Sequence, residues 1–535
     1  MSIDLIKLKK TIALAAAVFF AFFAIGVVIY YIVCPSAAFF HSDCADTLYW
    51  AQASYDGKTL YNPDFGYAAF LPFGGTMLMA PFIGLTGVSL TTHHIGMVLF
   101  TVLLFAAVFY LCRALKFSYP LSFTATGLVA LLLCSSPKLR EIYYEHVLYY
   151  SISIAVICVM LALYVKYTET FRNKHILLKI ALLLPVFAVA FGTALDGTQV
   201  VACSVLPVIF AAGCDVIFSK EKLLSKNRIP FIVYCAVAGA ATLIGLAVFK
   251  KGTENIGIGY ANAYSSYSMP EEWVGNLLKL PVQWFELFGI EVEPGMSLFS
   301  PESIVNILRI AAAVILGVAP VAALIFAGKL DRLSRLLVYA HFGMSGVIMF
   351  GYIFGILSAA NWRLSPMICT SILICIALVK AVQPHVVLRR VAALGLCLLF
   401  ALCAFNVKTI KAMPQDGVKY NRYYALAEYL KSQGLEYGFS TFWHGVTITV
   451  ITDSEVIVNN TDINENGVTP CPYQTNKNWF KPQDGIDRYF LLCTDYELMT
   501  LRITDDWKYF ENGPIEQLEF EGFTVFVFDN TDFLY

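Results

Sequence analysis

Residues 11–33 read TIALAAAVFFAFFAIGVVIYYIV, a run without a single charged side chain. An α-helix of about 20 apolar residues crosses the roughly 30 Å hydrocarbon core of a bilayer. The run is too long for the apolar part of a secretory signal, which has about 7–15 residues. The sequence therefore predicts that this run is retained as a first transmembrane helix.

Comparable apolar runs recur further along the chain, and the composition agrees with them, because 58% of the residues are hydrophobic and only 14% are charged. Soluble domains average about 45–50% apolar and about 25% charged residues. The sequence predicts a polytopic α-helical membrane protein of about eleven transmembrane helices. These begin near residues 11, 94, 119, 147, 176, 199, 230, 303, 334, 366 and 391.

Alternate loops between these runs carry most of the positive charge, which places them in the cytoplasm together with the N-terminus. Their basic residues include Lys7, Arg113, Arg172, Lys174, Lys220, Lys222, Lys226, Arg332 and Arg389. A further apolar segment at 70–90 contains FLPFGG and APFIGLTG. Counting it as a span would reverse every later loop against the charge pattern, so we predict a re-entrant or interfacial helix pair there.

The chain is expected to divide into a membrane domain, residues 1–409, and an extracytoplasmic α/β domain, residues 410–535. The membrane domain includes outer loop one at 35–69, the juxtamembrane segment 70–90 and a long outer loop at 250–302. In the second domain YNRYYALAEYLKSQG (420–434) has helical periodicity.

Five segments of the second domain have the pattern of strands, and Glu521-Gly522 fits a tight hairpin turn between two of them. The strand segments are EYGFST (436–441), SEVIVNN (454–460), RYFLLCT (488–494), QLEFEG (517–522) and FTVFVFD (523–529).

Charge and cysteine usage exclude several classes of protein. The formal net charge is −1, with no clustered basic face of the kind that binds nucleic acid. Most of the 14 cysteines lie in apolar segments and no CxxC spacing occurs, so we predict no cofactor and no cysteine metal site, with a divalent metal elsewhere as the alternative. The glycine-rich segment 257–264 lacks the Lys-Ser/Thr of a phosphate loop and is predicted to be an ordinary loop.

The first outer loop holds the most informative motif, HSDCADTLYWAQASYDGKTLYNPDFGYAAFLPFGG (41–75). Asp43 and Asp46 are three residues apart, so on a helix both would face the same side. A carboxylate there can accept the proton of an attacking hydroxyl as a general base. The alternative is structural, with Ser42 or Asp43 capping the following helix.

The second outer loop, SSPKLREIYYEHVLYYS (135–151), carries Glu141, Glu145 and His146 beside four tyrosines. The tyrosines alone are typical interfacial anchors. Glu145 with His146 could contribute to a metal site, but a satisfied structural pair is the stronger interpretation. Asp196 lies in the next outer connection and completes the acidic candidates.

Arg363, in SAANWRLSP (358–366), follows a predicted span at the expected level of lipid phosphates. A guanidinium binds phosphate oxygens with paired hydrogen bonds and remains charged at any working pH. The sequence therefore offers Arg363 as a phosphate clamp, with ordinary headgroup snorkelling as the alternative.

An acidic motif directly after the first span, followed by an aromatic PFGG-type segment, resembles the GT-C superfamily of membrane glycosyltransferases. The similarity is to the protein O-mannosyltransferase and aminoarabinose transferase branch and to bacterial homologues of unassigned substrate. The resemblance matches Asp43 to the loop-one catalytic carboxylate and Asp46 to the neighbouring acid, although family pairs are usually closer in sequence.

The resemblance implies an inverting enzyme that moves a sugar from a polyprenyl-phosphate-linked donor to an acceptor hydroxyl outside the cytoplasm. The acceptor would be a glycan, lipid or protein, and the expected location is a bacterial plasma membrane. Arg363 would hold the lipid phosphate, and Glu141, Glu145, His146 and Asp196 would contact substrate. Two alternatives remain open, a transporter or flippase of lipid-linked saccharide and a non-catalytic envelope-assembly scaffold.

Overall fold

The structure is a computed structural model that describes residues 3–171, 175–218, 228–256, 266–356, 360–464, 467–503 and 513–534. The predicted loop at 257–264 lies outside these residues, as do the basic residues Arg172, Lys174, Lys220, Lys222 and Lys226.

The described α-helices are numbered in chain order. They are α1 Ile3–Val33, α2 Asp46–Gly57, α3 Met77–Thr86, α4 Leu90–Ala114, α5 Tyr119–Leu132, α6 Pro137–Arg140, α7 Tyr149–Thr170, α8 Ile176–Leu195, α9 Thr198–Cys203, α10 Val205–Ile217, α11 Ile229–Thr253, α12 Pro270–Leu287, α13 Pro301–Ile325, α14 Arg332–Phe354, α15 Ser365–Ala381, α16 Val386–Lys411, α17 Tyr424–Ser432, α18 Phe442–Ile451 and α19 Asp495–Ile503.

Apolar helices of membrane-spanning length dominate the described chain. Ten are long and apolar enough to cross a bilayer, and an eleventh is obtained if the segments Tyr119–Leu132 and Pro137–Glu145, bent by 118°, form one span. The predicted polytopic α-helical architecture of about eleven spans is confirmed. Helix α3 has 10 residues after a π-helical turn at Pro72–Thr76, so at about 1.5 Å per residue it is too short to cross the bilayer.

Residue contacts divide the chain into two compact units. The first unit contains residues 1–30, 100–249 and 264–413, and the second contains residues 31–99, 250–263 and 414–535. Each unit is described by itself below. The predicted domain boundary at residue 409/410 remains a prediction, although loop one and residues 414–535 fall in the same unit.

Polar contacts connect helices of the first unit that are distant in sequence. Arg332 at the start of α14 donates from Nε and Nη2 to the Asp215 carboxylate of α10 at 2.9 and 2.5 Å. The Tyr164 hydroxyl of α7 donates to the same carboxylate at 3.0 Å. Three helices that are distant in sequence thereby share one charge-assisted network.

The predicted long outer loop contains α12, an amphipathic helix of 18 residues that was not predicted. Pro270 begins it, in the first-turn position where a missing N–H costs nothing. The buried Trp284 indole donates to the Ala313 carbonyl of α13 at 2.9 Å, and Asn276 donates to the Ile353 carbonyl of α14 at 3.1 Å. The helix is thus held against two spans.

The second unit contains a six-stranded mixed sheet in the order β3-β2-β1-β4-β6-β5. All five predicted strand segments and the hairpin are confirmed, because Glu521 and Gly522 both have positive φ, as a type I′ turn requires. The short edge strand β3 was not predicted. The strands are β1 Tyr437–Ser440, β2 Ile457–Asn464, β3 Gly467–Pro470, β4 Tyr489–Thr494, β5 Glu516–Phe520 and β6 Phe523–Phe528.

Helix α18 joins the parallel strands β1 and β2. Its sequence, FWHGVTITVI, ends in a β-branched run that favours a strand, and sequence reasoning assigned no helix there. Parallel neighbours require a crossover connection, usually a helix, so topology overrides local propensity. The helix predicted over 420–434 is confirmed as α17, with Gly434 at φ 65° after it.

Loop one pairs with the segment 471–479 through the backbone of Gly66. The Gly66 N–H donates to the Thr475 carbonyl at 2.9 Å, and the Gln474 N–H donates to the Gly66 carbonyl at 2.8 Å. A Cβ on Gly66 would lie 1.5 Å from the carbonyl oxygen of Pro472. Only glycine therefore permits this backbone pairing.

Replacing Gly66 with Ala should destabilise the second unit by about 1–3 kcal/mol or more, because the clash is with backbone, which cannot move as a flexible side chain does. Thermal unfolding of the purified protein measures this. Gly239→Ala in α11 is the control, since a Cβ there meets nothing within 4 Å. Wild-type stability of the Gly66 variant would contradict the described pairing.

Candidate functional site

The two loop-one acids lie on one side of a continuous helical turn. Asp43 belongs to a 3₁₀ helix, Ser42–Ala45, and Asp46 is the first residue of α2, with its N–H bonded to the Asp43 carbonyl. Side chains three residues apart in 3₁₀ geometry are eclipsed. Asp43 and Asp46 are both half-buried residues, so the second unit holds a pair of neighbouring acids.

The capping interpretation of Ser42 and Asp43 is wrong. The N-cap residue of α2 is Ala45, which makes no side-chain cap bond. The Ser42 hydroxyl instead donates to the Phe442 carbonyl at the start of α18, at 2.6 Å. Loop one is therefore attached to the sheet-containing part of its unit by this serine.

A glutamine from the C-terminal part of the chain contacts the acid pair. The Gln474 side-chain amide donates from Nε2 to Oδ1 of Asp46 at 2.6 Å, and its Oε1 accepts from the Trp50 indole at 2.8 Å. Gln474 is 1% exposed. A residue more than 400 positions away thus becomes part of the loop-one site.

Opposing effects determine the pKa of Asp46. Burial raises it most, the nearby charge of Asp43 raises it further, and hydrogen bonding from Gln474 lowers it. The net result is that the pKa of Asp46 lies well above its usual value. A carboxylate with a raised pKa is a stronger proton acceptor near neutral pH than an ordinary aspartate.

Further contacts hold loop one against residues 471–479. Lys477 forms an ion pair with Asp64 at 2.5 Å, and the Trp479 ring meets Tyr49 and Phe65 edge to face at centroid distances of 5.8 and 5.9 Å. Tyr49 is also hydrogen-bonded to Thr449 of α18. Backbone pairing, charge and aromatic contact therefore fix the loop at several points.

In the first unit, Glu141 is the acid that contacts both basic neighbours. Lys138 approaches it at 2.5 Å and His146 Nε2 at 3.8 Å. Glu145 and His146 are each only 3% exposed. His146 thus lies within ion-pair distance of Glu141. Among the described residues no group of three or more His, Cys, Asp or Glu side chains could hold a metal ion.

Asp196 ends α8 and precedes a sharp turn. Its N–H donates to the Thr193 carbonyl at 3.2 Å, and Gly197 follows with φ 93°. Its side chain is 5% exposed and does not line the cavity formed partly by the next helix, α9. Asp196 is therefore not one of the residues that line the cavity with Arg363.

Arg363 lines a cavity of about 350 Å³ within the first unit. Its guanidinium donates to the Gly351 carbonyl at 3.2 Å, and no described carboxylate lies within ion-pair distance. The walls are mostly apolar or aromatic, and the polar groups besides Arg363 belong to Tyr149, Tyr150, Gln199, Ser266 and Tyr267. The other lining residues are Ala202, Cys203, Val347, Ile348, Phe350, Gly351, Phe354 and Gly355.

Two tyrosines form a hydrogen-bonded pair in this cavity. The Tyr149 hydroxyl donates to the Tyr150 hydroxyl at 2.5 Å, and the ring centroids are 3.9 Å apart. Tyr150 is 3% exposed, and within the described chain its hydroxyl has no acceptor for its own proton. The cavity thus offers an anion one permanent cation and one buried hydroxyl donor.

Sequence reasoning missed Gln474, Trp50 and the tyrosine pair. Trp50 is four residues after Asp46 and hence on the same helix face, a spacing that the sequence does contain. The tyrosines were assigned to interfacial anchoring, and their position beside Arg363 has no sequence signal. Gln474 follows from long-range pairing with Gly66, which no local pattern predicts.

Comparisons with known proteins give a likeness to solved structures. No protein-family model and no curated protein match this chain. A solved structure that is similar is the oligosaccharyltransferase of Archaeoglobus fulgidus in complex with zinc and sulfate, with a TM-score of 0.48 and 11% sequence identity. The alignment covers 88% of this chain and 67% of that chain. The roles assigned below therefore rest on the residues of this chain.

Replacing Asp46 with Asn should stabilise the protein at neutral pH and have little effect at acidic pH. The pKa of Asp46 is raised in the folded state, so stability present below its unfolded value, about 3.9, is lost as the pH rises through the folded value. Asn stays neutral and still accepts from Gln474. We expect a gain on the order of 1 kcal/mol, because the substitution removes a buried charge and its repulsion by Asp43.

Unfolding midpoints measured between about pH 4 and pH 8 test this expectation. Asp487→Asn is the matched control, because Asp487 is exposed and the same charge is removed. A destabilised Asp46 variant, or a gain independent of pH, would show that the acid pair carries no electrostatic cost.

Proposed function

We propose that this protein is an inverting GT-C-type glycosyltransferase that uses a polyprenyl-phosphate-linked sugar as donor. The acceptor oxygen attacks the anomeric carbon while the bond from that carbon to the phosphate oxygen breaks. The acceptor proton passes to a carboxylate of the acid pair, and polyprenyl phosphate leaves with the bonding electrons. No cofactor is required for this balance.

The observation that carries the proposal is Arg363 in its largely apolar cavity. Arg363 is half-buried and its described hydrogen bond is to a neutral carbonyl, so the guanidinium keeps donors that favour an anionic ligand. Mostly apolar walls suit the part of the ligand next to the anion. A phosphate attached to a hydrocarbon chain has both properties, whereas a free sugar or a nucleic acid does not.

The tyrosine pair supports a phosphate as the anion. Tyr149 donates to Tyr150, so the remaining proton of Tyr150 can be donated to a phosphate oxygen. The Arg363 guanidinium can donate paired hydrogen bonds, so it and the Tyr150 hydroxyl would donate to one anion from different directions. We propose Tyr150 as an additional lipid-phosphate contact in the cavity.

For the acid pair we propose that Asp43 is the general base and Asp46 its neighbouring acid. Two close carboxylates titrate as a pair rather than as independent groups. For Glu141, Glu145, His146 and Asp196 we propose supporting contacts with the substrate. The proposal places the reaction at the outer membrane face.

Transport of a lipid-linked saccharide is the second candidate function. The 118° bend between Tyr119–Leu132 and Pro137–Glu145 favours it, because many transporters bind substrate at interrupted helices. A transporter would bind the donor in the Arg363 cavity and release it intact. Release of free polyprenyl phosphate distinguishes the two functions.

Replacing Asp43 with Asn should lower kcat for sugar transfer by roughly 100-fold or more, because it removes the base and retains the shape. Asp46→Asn should reduce kcat less. Initial rates of polyprenyl phosphate release from a panel of donors measure both effects. If the Asp43 variant keeps the wild-type rate while wild type turns over, the base has been assigned to the wrong residue.

Replacing Arg363 with Lys should raise KM for the donor by roughly tenfold, since a point charge cannot form the paired bonds of a guanidinium. Tyr150→Phe should also raise KM for the donor, but by a smaller factor. Arg390→Lys is the control, because Arg390 is exposed and lines no part of the cavity. An unchanged donor KM in the Arg363 variant would remove the phosphate role.

A further inference from the structure

The Gln474 amide uses both of its ends. Its oxygen accepts from the indole N–H of Trp50 at 2.8 Å, and its nitrogen donates to Asp46 at 2.6 Å. Gln474 and Trp50 are each 1% exposed, so water does not compete for these bonds. A buried amide with this arrangement has one satisfied orientation.

We infer that Gln474 is a positioning residue for the Asp43/Asp46 acid pair and that the Trp50 indole locks the orientation in which it donates to Asp46. The inference rests on the proposed catalytic role of the pair. It also gives the C-terminal part of the chain a function, because this part supplies the residue that holds the pair.

The chemistry of the indole explains the lock. Indole N–H is a donor without acceptor capacity, so Gln474 must turn its oxygen towards Trp50. The NH₂ group is thereby turned towards Asp46. Trp50 is four residues after Asp46 on α2, so the same helix face presents both the carboxylate and the group that orients its partner.

The backbone around Gln474 is built to keep it in place. Gln474 has φ 57°, in the left-handed region that residues other than glycine rarely adopt. Such a conformation persists where the surroundings fix it. Here two hydrogen bonds with Gly66 provide the constraint. The Gln474 N–H donates to the Gly66 carbonyl, and the Gly66 N–H donates to the Thr475 carbonyl.

Among the described residues, Gln474 is the side chain that donates a hydrogen bond to Asp46, and the other charged and titratable groups nearby do not take this role. Asp43 of the 3₁₀ helix carries like charge, and Lys477 of the 471–479 segment is paired with Asp64 at 2.5 Å. Tyr49, on α2 itself, is hydrogen-bonded to Thr449.

In the described part of this unit, the remaining neighbouring elements bring no cation that acts on Asp46. His444 of α18, which packs on the 3₁₀ helix, contacts the Tyr423 hydroxyl at 2.8 Å. Helix α3 and the turn Pro72–Thr76 contain no ionisable side chain.

Donation by Gln474 favours the charged form of Asp46, so its loss should make the acid pair retain a proton to higher pH. The active, ionised form of the pair would then appear later as pH rises. The acidic limb of the kcat/KM profile should move upwards, whereas a purely structural role would lower activity equally at all pH values.

The test compares Gln474→Ala and Trp50→Phe with Trp479→Phe across the pH profile of donor turnover. For Gln474→Ala we expect the acidic limb to move up by about one pH unit, the scale of one hydrogen bond to a charged group. Trp50→Phe, which keeps an aromatic ring, should shift it less in the same direction. Trp479→Phe is the control, because it also removes an indole from a partly buried position in the unit. The Trp479 indole has no described bond to the acid pair, so this substitution should not move the acidic limb.

A second measurement separates this inference from the proposed function. The unfolding midpoint against pH needs no substrate, and in Gln474→Ala it should fall more steeply than in wild type as the pH rises towards neutral. No turnover by wild type on any donor would refute the proposed function and leave this measurement decisive for Gln474. Wild-type pH dependence of unfolding in Gln474→Ala and Trp50→Phe would overturn the inference.

Discussion

The cost of removing charge from water governs both units of this protein. In the described chain several charged side chains form ion pairs, as with Arg332 and Asp215, whose bidentate contact joins two spans. Arg363 and the Asp43/Asp46 pair lie in different surroundings. The guanidinium lies in a largely apolar cavity without a described carboxylate partner, and the carboxylates repel each other beside a buried glutamine. Charged groups that are held at a cost in free energy mark candidate functional sites.

The second unit shows how two distant parts of the chain produce one arrangement. Gly66 permits a backbone approach that a Cβ would block, and the approach places Gln474 next to α2. Trp50 then orients the Gln474 amide, and the amide meets Asp46. Each step depends on the previous one, so loop one and the segment 471–479 are best regarded as one structural element. The part of the chain that carries the C-terminal sheet therefore belongs to the candidate site. A domain boundary at residue 409 would separate this part from loop one.

Much of the fold was predictable because its signals are local. Apolar runs gave the spans, alternation gave the strands, and Glu521-Gly522 gave the hairpin. Helix α18 escaped prediction because its run TITVI favours a strand while the parallel pairing of β1 and β2 requires a crossover helix. Helix α12 escaped because its amphipathic pattern lies within a segment expected to be a loop. At the site, the spacing of Asp43 and Asp46 was readable, but Gln474 and the Tyr149–Tyr150 pair depend on contacts that only the folded chain establishes.

The central claim is that the Arg363 cavity and the loop-one acids serve sugar transfer from a lipid-linked donor. Its most direct test is to incubate the purified wild-type protein with polyprenyl-phosphate sugars and acceptor alcohols, and to follow both polyprenyl phosphate release and the anomeric configuration of the product. The account predicts one polyprenyl phosphate for each glycosylated acceptor, with inversion at the anomeric carbon. Binding of donors without release of polyprenyl phosphate from any of them would contradict it and favour transport, and retention of configuration would exclude the single displacement assisted by Asp43.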